Sequence, residues 1–353
     1  MDFRPSPAQQ LLVSTAREFL KKHCPLELVQ RVALDARGVD DALWRRMAEL
    51  GWQGLLMPAD FGGSDGSLLD VILLTEELGR AVAPGPFVPS AVVATSALLA
   101  AGTADQKKRL LPAMAAGERI VGVALASAGN SCEIDARGRL TGCALFVEAA
   151  HVADALVVAA RAGGEPALLL VPTDRRGIAR WPLETIGSEK LFEVAFDGVA
   201  IGADDRLEPA AARREALAAG ALARTAEMVG AAQRVLELAV EHAKTRVQGG
   251  RPIGAHQAIQ HACADLVRDV DCARGLLHVA SCRLTSADVA MAKAYASEAC
   301  LTVARRAHQI FGAIGYCEEH PLHLLHKRIH AASLDCGDAT LHLEDVAQAI
   351  GLA

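Results

Sequence analysis

Four histidines near the C-terminus, His320, His323, His326 and His330, are spaced by three, three and four residues. On a helix that spacing sets the imidazoles near one face, the first requirement of a metal site. Two features favour a structural role instead: Pro321 interrupts the first turn, and no Asp or Cys completes an obvious ligand set. The nine cysteines are Cys24, Cys132, Cys143, Cys263, Cys272, Cys282, Cys300, Cys317 and Cys336. The number is odd and no CxxC pair occurs, so a reducing compartment is a simpler reading than a disulfide framework. Cys263, Cys272 and Cys282 read as small core residues rather than ligands, and Arg175-Arg176 as a solvated turn.

The elements that must position such groups follow from patterning. The chain has 353 residues, 52% of them hydrophobic and only 4% aromatic. That length allows two or three domains, and a core of Leu, Val and Ala leans towards helix. Residues 1–118 read as helices, with apolar spacing over Gln9 to Lys22, Leu43 to Leu50, Asp70 to Arg80 and Ala104 to Ala115. Between about 119 and 207 short alternating or apolar runs predict strands: Ile120–Leu125, Leu140–Phe146, Ala155–Ala160, Ala167–Val171 and Glu193–Val199. From 208 to 353 the pattern is helical and Ala-rich. Met228, Ala232, Val235, Ala239, Ala243 and Val247 form one stripe, and two further long helices cover His256–Leu284 and Ala287–Phe311. The expected fold class is α+β: an N-terminal helical domain, a middle antiparallel β domain and a C-terminal four-helix bundle.

Charge is spread along the chain, 36 Lys and Arg against 42 Asp and Glu, a net of -6. Without a block of like charge, neither nucleic acid nor a polybasic membrane anchor is indicated. The opening MDFRPSPAQQ lacks an apolar signal core, and no apolar run is long enough for a membrane span, so a cytoplasmic location is expected.

Four local segments then carry a resemblance. Glu49 to Gly63, ELGWQGLLMPADFGG, resembles the N-terminal signature of acyl-CoA dehydrogenases, and Glu76-Glu77-Leu78-Gly79-Arg80 resembles the family's next helix. Lys244 to Gln257, with a loop at Gly249 to Gly254, is similar to its Arg-containing segment and following Gln. Gln309-Ile310-Phe311-Gly312-Ala313-Ile314-Gly315-Tyr316 is similar to its late glycine turn. The segments keep the family's order from one end of the chain to the other. The resemblance implies FAD bound between the β domain and the C-terminal bundle, in a tetramer whose flavin reaches across a subunit interface. It implies α,β-desaturation of an acyl-CoA thioester: a carboxylate removes a proton next to the thioester, hydride passes to the flavin, and the electrons go on to an electron-transfer flavoprotein. Arg246 and Gln257 match family positions near FAD, and Gln309, Gly312 and Gly315 the segment near its diphosphate or adenine end. A solvated helix-end cation (Arg246) and a tight helix-ending turn (Gly312, Gly315) are the structural alternatives. Glu319-His320-Pro321-Leu322-His323 also resembles a common family segment.

Three departures bear on the chemistry. The family's catalytic Glu precedes a Gly before the last helix; here the matching stretch is Leu334-Asp335-Cys336-Gly337-Asp338, with Cys336 at the Glu position. A thiol is a poor base, with an ordinary pKa of about 8.5. Asp335 and Asp338 are candidate substitutes, but shorter. Some relatives carry the base at the start of the first bundle helix, where this chain has Ala218-Ala219-Gly220-Ala221 and Glu227 follows two turns on. In the β domain, Ala126 to Ser131 lacks the family's acid and proline, and Phe146-Val147-Glu148 replaces a Trp-containing strand. Three readings follow: an active dehydrogenase with a displaced base, a non-catalytic partner subunit of a mixed tetramer, or a flavin-free relative with another acyl-CoA chemistry. The Ala-rich bundle carries more apolar stripe than one bundle needs, so its surplus face is expected to bury against another subunit.

Overall fold

The computed structural model describes residues 5–125 and 129–352. Helices come first: α1 (Pro7–His23), α2 (Leu26–Leu34), α3 (Asp41–Glu49), α4 (Leu68–Arg80), α5 (Thr95–Ala101) and α6 (Ala104–Ala115). Strands follow: β1 (Val121–Ala124), β2 (Glu133–Ile134), β3 (Arg139–Glu148), β4 (Ala155–Ala162), β5 (Glu165–Pro172), β6 (Ile178–Leu183), β7 (Leu191–Ala200) and β8 (Arg206–Leu207). The 34-residue α7 (Ala212–Thr245) leads through a small hairpin, β9 (Val247–Gln248) and β10 (Arg251–Pro252), to α8 (Gln257–Arg283), α9 (Ser286–Phe311), α10 (Leu322–Leu334) and α11 (Ala339–Ala349). The expected α+β order of helices, sheet and helical bundle is what the chain adopts.

Two compact units result. One comprises Gln30–Val71 and Pro84–Gly220, the other Met1–Val29, Ile72–Ala83 and Ala221–Ala353. The first is built on an eight-stranded sheet of order β6-β7-β3-β2-β4-β5-β8, with β1 also paired to β4. It is antiparallel except that β1 and β2 each run parallel to β4, a departure from the purely antiparallel expectation. Leu140, Leu156, Val158, Leu169, Val171 and Val194 fill its interior. Strand β6 was not evident in the sequence because Trp181 and Pro182 obscure its alternation; it is an edge strand, where a proline's missing N–H is tolerated. The buried segment Phe87–Ala94 is a π-helix continuing into α5. Buried on all sides and almost wholly apolar, it has no amphipathic period to read.

The second unit is organised by close helix packing. A Cβ added at Gly230 on α7 would lie 1.8 Å from the Glu76 carbonyl oxygen, and one at Gly79 on α4 would lie 2.3 Å from the Glu227 carbonyl oxygen. The two helices therefore touch backbone to backbone. Around this crossing, Arg17 grips Glu77 through two nitrogens at 2.9 and 2.6 Å. Arg274 joins Glu76 and Gln233, each at 2.9 Å, and Arg80 pairs with Glu237. Helices α8 and α9 form a hairpin through Leu284 (φ +52°) and Thr285, whose side chain caps α9 by accepting from Asp288 N. Helix α9 is buried along most of its length by Ala, Val and Cys, and packs on α8, α10 and α11. Apolar side chains remain bare at the C-terminal end: Leu341, Leu343, Ile350 and Leu352 are 50–78% exposed. No helix among the described residues is long and apolar enough to cross a membrane.

Gly230→Ala is expected to push α4 and α7 apart and cost about 1–3 kcal/mol or more in urea unfolding, because the obstructing atom is backbone. Gly275→Ala on α8 is the matched control. Its Cβ would meet nothing within 4 Å, so the change should be neutral or stabilise by about 0.4–1 kcal/mol. Equal effects at the two sites would show that the crossing tolerates a methyl group.

Candidate active site

The turn expected to carry the catalytic base joins α10 to α11. Helix α10 ends at Leu334. Cys336 (φ +57°) and Gly337 (φ +99°) then turn the chain in the left-handed region. Asp338 caps α11 by accepting from Leu341 N at 2.9 Å. From α9, Lys293 reaches the turn completely buried and donates to the carbonyls of Ala332 (2.7 Å) and Ser333 (3.0 Å). A lysine thereby satisfies the orphan carbonyls at the end of α10, where the helix dipole also favours a cation. Burial depresses its amine to about 8. His342 Nε2 meets the Cys336 carbonyl at 3.0 Å. Burial, then neighbouring Asp335, pushes the Cys336 thiol well above its ordinary value. That thiol is no base at neutral pH.

Asp335, Asp338 and the nearby Glu227 each already serve a cation or a cap. Arg224, 5% exposed on α7, donates from Nε to Asp335 at 2.7 Å and from Nη1 to Glu227 at 2.6 Å. Arg328 on α10 holds the other oxygen of Glu227 at 3.1 Å and reaches the Ala83 carbonyl at 3.4 Å. Glu227 is thus a buried structural anion gripped by two arginines. Partial desolvation would raise the half-exposed Asp335, but Arg224 outweighs it and holds the carboxyl below its ordinary value. At the alternative position on α7, Ala219 and Ala221 are buried and supply no acid. Sequence reasoning passed over Arg224, Lys293 and Arg328, although the first two are lone cations in otherwise apolar, Ala-rich stretches.

The candidate cofactor residues all lie in the helical unit. Arg246 and Gln257 are exposed on either side of the β9–β10 hairpin. Gln309, exposed, and Gly312 mark the end of α9, and Gly315 sits in the 3-10 turn Gly312–Tyr316. His242, one turn before Arg246, packs its ring 4.6 Å from Phe311, so the C-terminal ends of α7 and α9 meet. Gly249 (φ +63°), Gly250 (φ +80°) and Gly312 (φ +67°) have nothing within 4 Å of an added Cβ. Open backbone beside an exposed guanidinium suits a phosphate-bearing group. Gly315 differs: its Cβ would crowd Phe311 at 2.9 Å, so packing explains that glycine. In the β unit, Phe146 lies at a register break of β3 with φ +60° and its ring 55% exposed, and Glu148 ends the strand. Ala126 to Ala128, part of the segment lacking the family's acid and proline, lie outside the described residues.

The histidines form contacts between helices instead of a ladder along one. His308 Nε2 on α9 bonds His326 Nδ1 on α10 at 2.9 Å, and Tyr316 packs on His308. His320 precedes α10 and packs on Phe311. No group of three or more His, Cys, Asp or Glu is arranged to hold a metal among the described residues. Burial, then His308, His330 and Arg305, depress His326 to about 4, and His308, His320 and His323 are also lowered, chiefly by burial.

Two expectations follow. Arg224→Met leaves Glu227 with one partner and should cost about 3–5 kcal/mol; a loss under about 1 kcal/mol in urea unfolding would show that Arg224 is dispensable. The histidines set a pH dependence. The unfolded chain protonates His326 near 6.5 and the folded chain only near 4, so this stability is complete above about 6.5 and drains as pH falls towards 4. The urea midpoint should therefore drop between pH 7.5 and 5, and drop less in His326→Phe. An undiminished drop in that variant would remove His326 from the account.

Comparison with known proteins agrees with this architecture. Residues 6–118 match the acyl-CoA dehydrogenase N-terminal domain family, and residues 210–351 the acyl-CoA dehydrogenase C-terminal domain family. Acyl-CoA dehydrogenase IpdE2 of Mycobacterium tuberculosis is 31% identical, with 93% of each chain covered. Among solved structures, a chain of the ChsE4–ChsE5 complex from Mycobacterium tuberculosis is 28% identical over 100% of both chains, with a TM-score of 0.94. A glutaryl-coenzyme A dehydrogenase bound to glutaryl-CoA is 25% identical over 100% of this chain and 98% of that one, with a TM-score of 0.92. With both terminal domains matched and near-complete coverage by a relative of this identity, the chain belongs to the acyl-CoA dehydrogenase family of oxidoreductases.

Proposed function

We propose that this chain is the partner subunit of a mixed acyl-CoA dehydrogenase tetramer, in which a different chain supplies the catalytic carboxylate. The observation that carries this reading is the turn at Cys336. The thiol stands where the family's Glu is expected, and Asp335, Glu227 and Asp338 are held by Arg224, by Arg224 with Arg328, and by the α11 N-terminus. The likeness to a chain of a two-component complex, ChsE4–ChsE5, supports it. The bare apolar side chains of α11 and Leu352 supply a face for another subunit.

In this reading the substrate is an acyl-CoA thioester. The partner's carboxylate takes the proton next to the thioester carbonyl, where proton removal needs a positioned base. Arg246, Gln309 and the open backbone at Gly312 would hold the diphosphate end of FAD, with Gln257 alongside. When bound, FAD supplies the two-electron acceptor that no side chain provides. An electron-transfer flavoprotein is the onward acceptor. Lys293 and Arg224 keep the Cys336 turn closed, so this chain's own half acts by completing the assembly.

The test is anaerobic reduction of bound flavin by straight-chain acyl-CoAs. General-base catalysis contributes about 10²- to 10⁴-fold. The isolated chain, loaded with FAD, should bleach slower by about that factor than the same chain with a partner bearing the family Glu. Rapid bleaching by the homogeneous protein would overturn the proposal. Its loss in Asp338→Asn would then identify a displaced base.

A further inference from the structure

A cavity of about 570 Å³ lies within the helical unit, bordered by α1, the start of α2, the end of α4, the middle of α7 and the start of α10. Its volume falls in the range of small-molecule pockets, about 300–1,000 Å³. None of its lining residues belongs to the Cys336 turn or to the candidate cofactor positions. The interior is apolar: Leu20, Leu324 and Leu325 are buried, and Val29, Val82 and Leu238 extend the same surface.

The polar lining is of one dominant sign. Arg17, Lys21, Arg80 and Arg234 border the cavity, with Glu77 as the lining acid. Arg17 is bonded to Glu77, and Arg80 to Glu237, which Arg234 also approaches at 3.5 Å. Four cations against these two carboxylates leave an excess of two positive charges. Two of the cations are accessible to a ligand: Lys21 is exposed and meets no carboxylate among the described residues, and the Arg234 side chain is 43% exposed. In a chain of net charge -6, a locally positive mouth over an apolar interior selects an anion with a hydrocarbon body.

We propose that this cavity binds a free amphipathic carboxylate. Its hydrocarbon body lies against Leu20, Leu238 and Leu324, and its carboxylate meets Lys21 and Arg234. Binding is reversible and non-covalent, and separate from the Cys336 turn.

A fluorescent fatty acid, dansyl-undecanoate, titrated into the full chain tests this directly. Saturable binding of one probe per chain is expected. Palmitate should displace it, and hexadecanol, with the same tail and no charge, should do so at least about ten-fold less well, the worth of one charge-assisted hydrogen bond. Lys21→Glu with Arg234→Ala should weaken the probe by a similar factor, and Leu238→Trp should weaken it by intruding on the apolar wall. Circular dichroism of both variants should match the parent. Saturating decanoyl-CoA should leave the probe in place. Non-saturable binding, affinity unchanged in both variants, or displacement by decanoyl-CoA would each overturn the proposal. So would stoichiometric expulsion of the probe on self-association or on adding a partner chain, which would make the cavity a protein interface.

Discussion

The helical unit depends on the backbone contact between α4 and α7. Gly79 and Gly230 remove the side chains that would hold these helices apart, and each approaches a carbonyl of the other helix. Helices this close leave no room for long side chains at the crossing itself. The charged residues of both helices are displaced to its flanks, and Glu76, Glu77, Glu227 and Glu237 each meet an arginine there. These partners come from α1, α4, α7, α8 and α10. The crossing thereby fixes which helices surround it, because a buried carboxylate is stable only where a cation can reach it.

The same arrangement explains why the turn after α10 is so strongly held. Arg224 lies on α7 one turn before Glu227, whose backbone touches α4. Its guanidinium extends from that buried anchor to Asp335. Lys293 approaches the turn from α9 and takes the last carbonyls of α10. Two cations from two helices thus define the segment that has Cys336 at its centre.

What was legible in the sequence was local. The stretch from Glu49 to Gly63, the Glu76-Glu77 pair and the glycines at 249, 250 and 312 are contiguous signals, and the alternation of the longer strands marks the sheet. Signals spread across the chain were hidden. Arg224 and Asp335 are 111 residues apart, and Lys293 is 40 from the carbonyl of Ser333. Nothing in the immediate sequence of either cation announces such a partner. The partners of the histidines at 320–330 were hidden for the same reason: His326 bonds His308 on another helix instead of its neighbours along α10. Strand β6 and the π-helix at Phe87–Ala94 escaped because one carries Pro182 and the other is buried on every side and almost wholly apolar.

The linkage through Arg224 also bears on how freely this site can change. A proton acceptor is lost by altering one codon, but regaining it at the Cys336 turn is a concerted problem. A new carboxylate there would stand beside Asp335 and compete for Arg224, whose other hydrogen bond secures a buried anion on α7. Drawing the arginine away would leave buried Glu227 with Arg328 alone, and leaving it in place would hold the new carboxylate as an ion pair. On the proposed reading, a carboxylate restored at this turn by one substitution would therefore have to share Arg224 with Asp335 and Glu227.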